Sequence, residues 1–405
     1  MTPEKKKEWR TEETGIPLKT YYTPQDNGSL DPEHDLGLPG AFPYTRGIYE
    51  SSYRNDAWQV RQYVGFGLPE QTNERACYMV QEGARGRGGL PVVNIITDLP
   101  TKLGYDSDHP IARYEVGRVG VAMDNIEDME ALFQGLPQDR VVANFPSYTG
   151  SVGMWCLYIA LARKRGIPEE KLMGALTNTI FEAYTCCRYE IFPLLPALRL
   201  SLDFTEYATK KIRRLTVNTF SASNFYHSGA YSHQAVAWAI AEAIAYAEAL
   251  TERGLAVDDF APLFSIYCAT SRDFFEEIAK YRALRRLYAR EMERRFHPKN
   301  PRSTQARVAC RTYGHYLSAR QPVINISRST IAAMASLLGG VQSVTITPYD
   351  EALSIPSKEA MTVALKQQEI IAYESNIRSV TDPFGGSYFI EWLTDRYEEK
   401  LVEEL

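Results

Sequence analysis

Several things are missing from this chain, and each absence removes a class of function. Its six cysteines (Cys77, Cys156, Cys186, Cys187, Cys268, Cys310) include no Cys-x-x-Cys pair, which argues against thiolate metal sites, and no metal ligand set is expected. No apolar run approaches the roughly 18 residues of a bilayer-spanning helix, so no membrane partner is expected. The charged start, Met1-Thr11, has no signal-peptide core, which points to a reducing cytoplasm. Lysine and arginine are dispersed and the formal net charge is -5, leaving no footprint for nucleic acid. The glycine-rich stretch GARGRGG (Gly83-Gly89) lacks the lysine and hydroxyl pair of a P-loop and reads as a flexible connector.

What is present is alternation. Seven short strand-like runs are each followed by helix-like sequence: Val92-Thr97, Val141-Phe145, Met173-Leu176, Leu215-Phe220, Leu263-Tyr267, Arg307-Ala309 and Ser343-Thr347. A weaker run at Arg378-Thr381 makes an eighth. Such alternation implies βαβ units and a parallel sheet. Eight units are the number that closes an α/β (β/α)8 TIM barrel, whose active site lies at the C-terminal strand ends. Those ends carry Asp98, Ser147, Tyr148, Thr177, Asn178, Asn224, Cys268, Arg311, Thr347 and Asp382. With 405 residues, 44% hydrophobic and 23% charged, the chain has room for one barrel of about 250 residues plus an extension.

Four parts are expected. Residues 1-37 form an extended N-terminal arm, either wrapping a partner or partly disordered. Residues 38-89 are a turn-rich aromatic segment packing on the barrel, with a helix near Glu70-Gly83. The barrel takes 90-387, and 388-405 is a charged amphipathic C-terminal helix. Asp273-Arg294 places Phe274, Ile278, Tyr281 and Leu284 on one face with Glu and Arg opposite, and alanine-rich Ala235-Leu250 suits close packing.

Nine ordered motifs then carry a resemblance from Leu38 to Leu405: LPGAFPYTRGIY, RQYVGFG, DLPTKLGYDSDHP, EVGRVGVAMD, DFFEEIAKYRALRRLYA, KNPRS, LGGVQS, the DEAL segment and DPFGGSYFIE. They resemble the substrate-binding barrel of the cobalamin-dependent acyl-CoA mutases. The resemblance implies a radical isomerase using adenosylcobalamin, with CoA threaded along the barrel axis. The family's cobalamin signature, Asp-x-His-x-x-Gly, is absent, and Asp106-Ser107-Asp108-His109 is out of its register. Cobalamin is therefore expected to be held mainly by a domain outside this chain, on a separate small subunit or lost by truncation. A dimer or heterotetramer is implied.

By resemblance, Tyr63 is the tyrosine wedged between substrate and adenosyl group, and Arg61 lies near the CoA phosphates. A packed mouth aromatic and a solvated arginine are the plainer alternatives. Ser265 and Gln342 fall beside CoA; Leu99, Glu351 and Ala352 fall beside cobalamin. The departures weigh more. The family histidine that hydrogen-bonds the thioester carbonyl is Asn224 here, which can donate but cannot shuttle a proton. His227, three residues on, reads as a loop histidine unless a shift brings it in. The family glutamine is Thr177, and the carboxylate-gripping arginine is Cys187, so methylmalonyl-CoA is disfavoured as substrate. Arg188 points elsewhere, and Cys186-Cys187 reads as packing. Another family glutamine is Arg311, either a relocated acid-binding group or a salt-bridged structural arginine. Two readings follow: the substrate-binding subunit of a mutase with an altered acyl-CoA, or a catalytically degenerate structural subunit of a heteromeric mutase. Survival of Tyr63, Gln342, Glu351 and the DSDHP loop favours the enzyme.

Overall fold

Runs such as Val92–Ile95 (VVNI) and Met173–Leu176 (MGAL) are buried at every position. Strands of that kind need cover on both faces, which helices over a parallel sheet provide. A computed structural model describes residues 9–28 and 30–405 and has this mixed α/β arrangement. The strands are β1 (Gln59–Arg61), β2 (Tyr63–Val64), β3 (Phe66–Gly67), β4 (Val92–Ile95), β5 (Gly120–Val121), β6 (Val142–Phe145), β7 (Met173–Leu176), β8 (Leu215–Thr216), β9 (Asn218–Ser221), β10 (Phe264–Thr270), β11 (Val308–Thr312) and β12 (Ser343–Thr345). The helices are α1 (Pro69–Gln81), α2 (Leu99–Leu103), α3 (Ile126–Leu132), α4 (Thr149–Lys164), α5 (Leu194–Lys211), α6 (Ala222–His227), α7 (Ser232–Glu252), α8 (Val257–Phe260), α9 (Phe274–Phe296), α10 (Asn325–Leu338), α11 (Lys358–Glu374) and α12 (Tyr388–Glu404).

One sheet runs β1-β12-β11-β10-β9 and another β2-β4-β6-β7-β8, with every pairing parallel. Gln62 alone separates β1 from β2, and Val217 alone separates β8 from β9, so the two sheets meet in the same two chain segments. A small sheet of β3 and β5 lies beside them.

The strand expected at Arg378-Thr381 is not formed. Those residues run through turns and bends after Asn376, whose φ is +60°, and Val380 is exposed. The place beside β12 goes to β1, whose Val60 faces Val344. Val60 and Val64 are buried to 1% and 4% exposure, the burial that Arg378-Thr381 lacks. The other seven runs form strands, with ends that coincide or shift by at most three residues.

The helix expected over Asp273-Arg294 is α9, but its charged face is not solvated. Arg282, Arg285 and Arg286 are all buried, as are Glu276, Glu277 and Lys280. Helix α12 packs along it, and its charges are answered from α12 and from the segment before it: Arg282 pairs with Asp382 of that segment and with Glu391, and Arg286 with Asp395 and Glu398. Arg285 instead donates to the carbonyls of Tyr44, Thr45 and Gly339 at 2.6–2.9 Å. The N-terminal segment lies on the same two helices. Glu12 and Asp35 pair with Arg272 and Arg290, and Tyr22 stacks against Phe389 and Trp392. Residues 1–8 and Ser29 of the expected arm lie outside the described residues. Among the described residues no helix is long and apolar enough to cross a membrane.

Candidate active site

Inside the strands the side chains are polar. Gln62 donates to the Ile346 carbonyl at 2.7 Å, Asn94 donates to the Gln62 carbonyl at 3.0 Å, and Asn144 donates to the Asn94 side chain. A core filled only for stability would not carry such a ladder. Above it opens a cavity of about 380 Å³. Arg61, Tyr63, Thr177, Asn224, Arg311 and Glu351, read from the sequence as site residues, all line it.

Local sequence explains how several of these groups are held. Ser221 ends β9 and caps α6 by accepting from the Asn224 N–H at 3.3 Å, which turns Asn224 toward the cavity. Its side-chain amide donates to the Tyr148 hydroxyl at 2.7 Å. Tyr148 itself holds a left-handed φ of +54°, a strained conformation of the kind concentrated at functional sites. Its hydroxyl also meets the Cys187 thiol, and its ring packs on Tyr189 at 5.3 Å. The Asp98-Leu99-Pro100 start, with Asp98 accepting from the Thr101 N–H, begins α2, and Gly104 at φ +75° ends it. This one-turn helix carries Lys102 into the cavity wall.

On the opposite side the Tyr63 and Tyr267 hydroxyls are 2.6 Å apart. Burial, reinforced by Tyr63, raises Tyr267 well above the usual tyrosine range. Arg311 donates to Glu351 at 2.6 Å and lies 5.9 Å from the Tyr63 ring centre. Burial opposes its charge, but Tyr267, Glu351 and Tyr63 together hold the guanidinium firmly protonated. Its Nε is buried without a partner, so the ion pair leaves one donor unused. His227 also lines the cavity, stacked on Tyr313 at 4.9 Å, with a buried, unpartnered Nε2. Burial, then Arg311 and His315, pull it down to about 4, so it is neutral at physiological pH. Arg61 donates both Nε and Nη2 to Gln59, and burial lowers its affinity for a proton.

The remaining sequence candidates sit apart from the cavity lining. Cys187 stands behind Tyr148, and burial raises its thiol. Arg188 is turned to solvent, paired with Glu190. Ser265 donates to the Thr219 hydroxyl at 3.0 Å, one layer back. Gln342 accepts from the Val308 N–H and donates to the Gly340 carbonyl, at the start of the strands. Leu99 and Ala352 are exposed beside Lys102 and Glu351. Sequence reading passed over Lys102, Tyr189 and Tyr267. They come from separate elements, and each is ordinary in its own segment.

Below Tyr148 lies an unusual pair. Glu182 and Glu242, at 0% and 4% exposure, face each other with no cation between them. Thr179 donates to Glu182, and the Phe181 N–H donates to Glu242 at 3.1 Å. With both ionised, each Oε2 lacks a donor; one proton held between them satisfies both. Burial raises both carboxyls; Glu182 raises Glu242 further, while the hydrogen bond with Glu242 draws Glu182 part of the way back.

Comparison with known proteins places the whole chain in one family. A family profile described as methylmalonyl-CoA mutase matches residues 11–405. The 2-hydroxyisobutanoyl-CoA mutase large subunit of Aquincola tertiaricarbonis is 38% identical over 403 residues, covering 100% of this chain and 70% of that protein. Mitochondrial methylmalonyl-CoA mutase of Homo sapiens is 36% identical over 400 residues, covering 98% of this chain and 52% of that protein. Methylmalonyl-CoA mutase of Cereibacter sphaeroides is 35% identical over 400 residues, 98% of this chain and 55% of its own length. This chain therefore spans about half the length of the methylmalonyl-CoA mutases it matches. With parallel strands leading into a polar cavity and a family match that runs almost from end to end, the chain belongs to the methylmalonyl-CoA mutase family.

Proposed function

We propose that this chain is the substrate-binding subunit of an adenosylcobalamin-dependent mutase that rearranges the carbon skeleton of an acyl-CoA other than methylmalonyl-CoA. Its strands make one closed (β/α)8 barrel from the segments 59–64, 92–95, 142–145, 173–176, 215–221, 264–270, 308–312 and 343–345. Pairing of 59–61 with β12 and of 63–64 with β4 supports closure. On this reading the barrel begins inside the segment 38–89. A separate small subunit holds most of the cobalamin.

The observation that carries the proposal is the convergence of Tyr63, Tyr267, Asn224, Arg311 and His227 on one cavity with two buried nitrogens left unpartnered. A purely structural subunit gains nothing from buried donors without acceptors. The chain also has a surface suited to a broad, largely apolar cofactor. Val119 borders the cavity and is 59% exposed, while Leu99, Leu353 and Ile355, on segments that line it, are exposed as well. When bound there, adenosylcobalamin supplies the radical chemistry. The chain's own residues do the rest. Tyr63 and Tyr267 fix the wall against which the acyl group lies. Asn224 is oriented by Tyr148. Neutral His227 and the spare Arg311 N–H supply polar contacts to substrate oxygen or cofactor, and the enclosed strand ends keep water away.

The test is to combine this chain with its cobalamin-binding subunit, adenosylcobalamin and a panel of short branched acyl-CoA esters, following isomer formation by mass spectrometry. Conversion of at least one ester, with methylmalonyl-CoA inert, is the expected result. Assembly and CoA binding without conversion of any ester would transfer the case to the degenerate structural subunit.

A further inference from the structure

Among the described residues, Lys102 is a cation in the cavity wall that forms no ion pair with a carboxylate. Arg311 is matched by Glu351, and Arg61 donates to the Gln59 side-chain oxygen. Among the described residues Lys102 makes neither ion pair nor hydrogen bond; its one close partner is the Tyr189 ring, 5.9 Å from Nζ. Asp98, the nearest carboxylate influence, is already committed to the N–H groups of Thr101 and Gly117. Burial lowers the affinity of Lys102 for its proton, so holding the charge there is unfavourable until an acceptor arrives.

The neighbourhood gives the charge a purpose. Lys102 and the Cys187 thiol each influence the other electrostatically, so Cys187, behind Tyr148, lies near the stretch of wall that holds Lys102. Tyr189 packs on Tyr148, and Tyr148 links Cys187 to Asn224. Cys187 is the position where sequence comparison loses a carboxylate-binding guanidinium. A cation nonetheless reaches that region, from a different element. An ammonium has three donors and no acceptor, and it is a compact charge suited to a hydroxyl or carboxylate oxygen. A hydrocarbon acyl group would leave it unmatched.

We propose that Lys102 is a specificity-determining residue that receives an oxygen substituent, hydroxyl or carboxylate, on the acyl branch of the substrate. The substrate class is thereby narrowed to short acyl-CoA esters bearing such an oxygen. This inference rests on the mutase reading above.

The test is equilibrium binding to the full chain by titration calorimetry, for CoA and for three short branched esters: one hydrocarbon, one hydroxylated and one carboxylated. Wild type, Lys102→Met and Lys102→Arg are compared. In the methionine variant an oxygen-bearing ester is expected to lose at least about tenfold in affinity. The hydrocarbon ester should bind as before, and arginine should recover part of the loss. The ester that loses more tells a hydroxyl from a carboxylate. If wild type binds CoA and all three esters respond alike to Lys102→Met, the specificity role is overturned while the mutase reading stands. If wild type binds neither CoA nor any ester, the mutase reading itself fails. A fourth measurement, adenosylcobalamin affinity of the complex with the small subunit, overturns the proposal if it alone falls in Lys102→Met.

Discussion

The hydroxyls of Tyr63 and Tyr267 meet at 2.6 Å, one from β2 and the other from β10, tying together opposite arcs of the strand assembly. One O–H donates to the other oxygen, and the acceptor's own O–H is left to point into the cavity. Tyr63→Phe keeps the ring but releases it from this tether. We expect turnover to fall about 10- to 100-fold, the scale of a small misplacement at a reacting centre, with acyl-CoA affinity nearly unchanged. Tyr267→Phe breaks the same bond and should give a similar loss. The double variant should then be little worse than either single one, a non-additivity that kcat and Kd measurements on all three would reveal. Additive losses would mean that the two hydroxyls act separately.

Asn224 is held by Tyr148 rather than free, because its amide donates to that hydroxyl at 2.7 Å. Asn224→Leu should therefore release Tyr148, whose backbone is already strained, and lower kcat/KM by roughly tenfold, the worth of one hydrogen bond. Asn224→His is the sharper comparison, since an imidazole is the residue type that the resemblance implies for this position. Improved turnover would show that an imidazole contact fits here. We expect a loss, because the larger ring has to displace Tyr148 or Cys187.

How far the sequence revealed this arrangement depended on how local each signal was. Strands such as Met173–Leu176 were readable because four buried residues between polar clusters suffice to mark them. Gln59–Val64 was not, since its burial depends on β12 and β4, partners more than 280 and about 30 residues away in the chain. The charged face of α9 gave no sign of its burial because nothing near Arg282 in sequence announces Asp382 and Glu391. The site divides the same way. Tyr63, Asn224 and Arg311 stood within recognisable motifs, whereas Lys102, Tyr189 and Tyr267 gain meaning only through one another.

Arg282 offers a direct test of that hidden packing. It is fully buried between Asp382 and Glu391, themselves almost completely buried. Among the described residues, Arg282→Met removes the one cation paired with Glu391 and leaves Asp382 with Arg46 alone. Breaking one side of a buried pair typically costs about 3–5 kcal/mol, and urea denaturation should register a loss of that order, with α12 released first. Arg294→Met, at an exposed pair with Glu291, is expected to change stability by less than about 0.5 kcal/mol.

The Glu182–Glu242 pair makes the strongest case for a pH effect. Burial raises both carboxyls, and Glu182 raises Glu242 further, so the folded state favours holding a proton that the unfolded chain releases at about pH 4.3. The stability this proton confers is complete below about pH 4.3 and declines as the pH rises through the higher folded values. Among the described residues the groups facing the pair are Thr179, Tyr148, Tyr246, the Cys187 thiol and the N–H groups of Ile180 and Phe181, none of them a cation. Glu242→Gln keeps Oε1 for the Phe181 N–H and offers an amide N–H to Glu182, replacing the shared proton by a permanent donor. Its melting temperature should exceed the wild-type value at pH 8–9 by roughly 2–4 °C, with the gap closing as the pH falls toward 4. Melting curves recorded from pH 4 to 9 decide the matter. If the two proteins keep a constant separation across that range, no proton is shared, and a cation contributed by another chain must be balancing the two carboxylates instead.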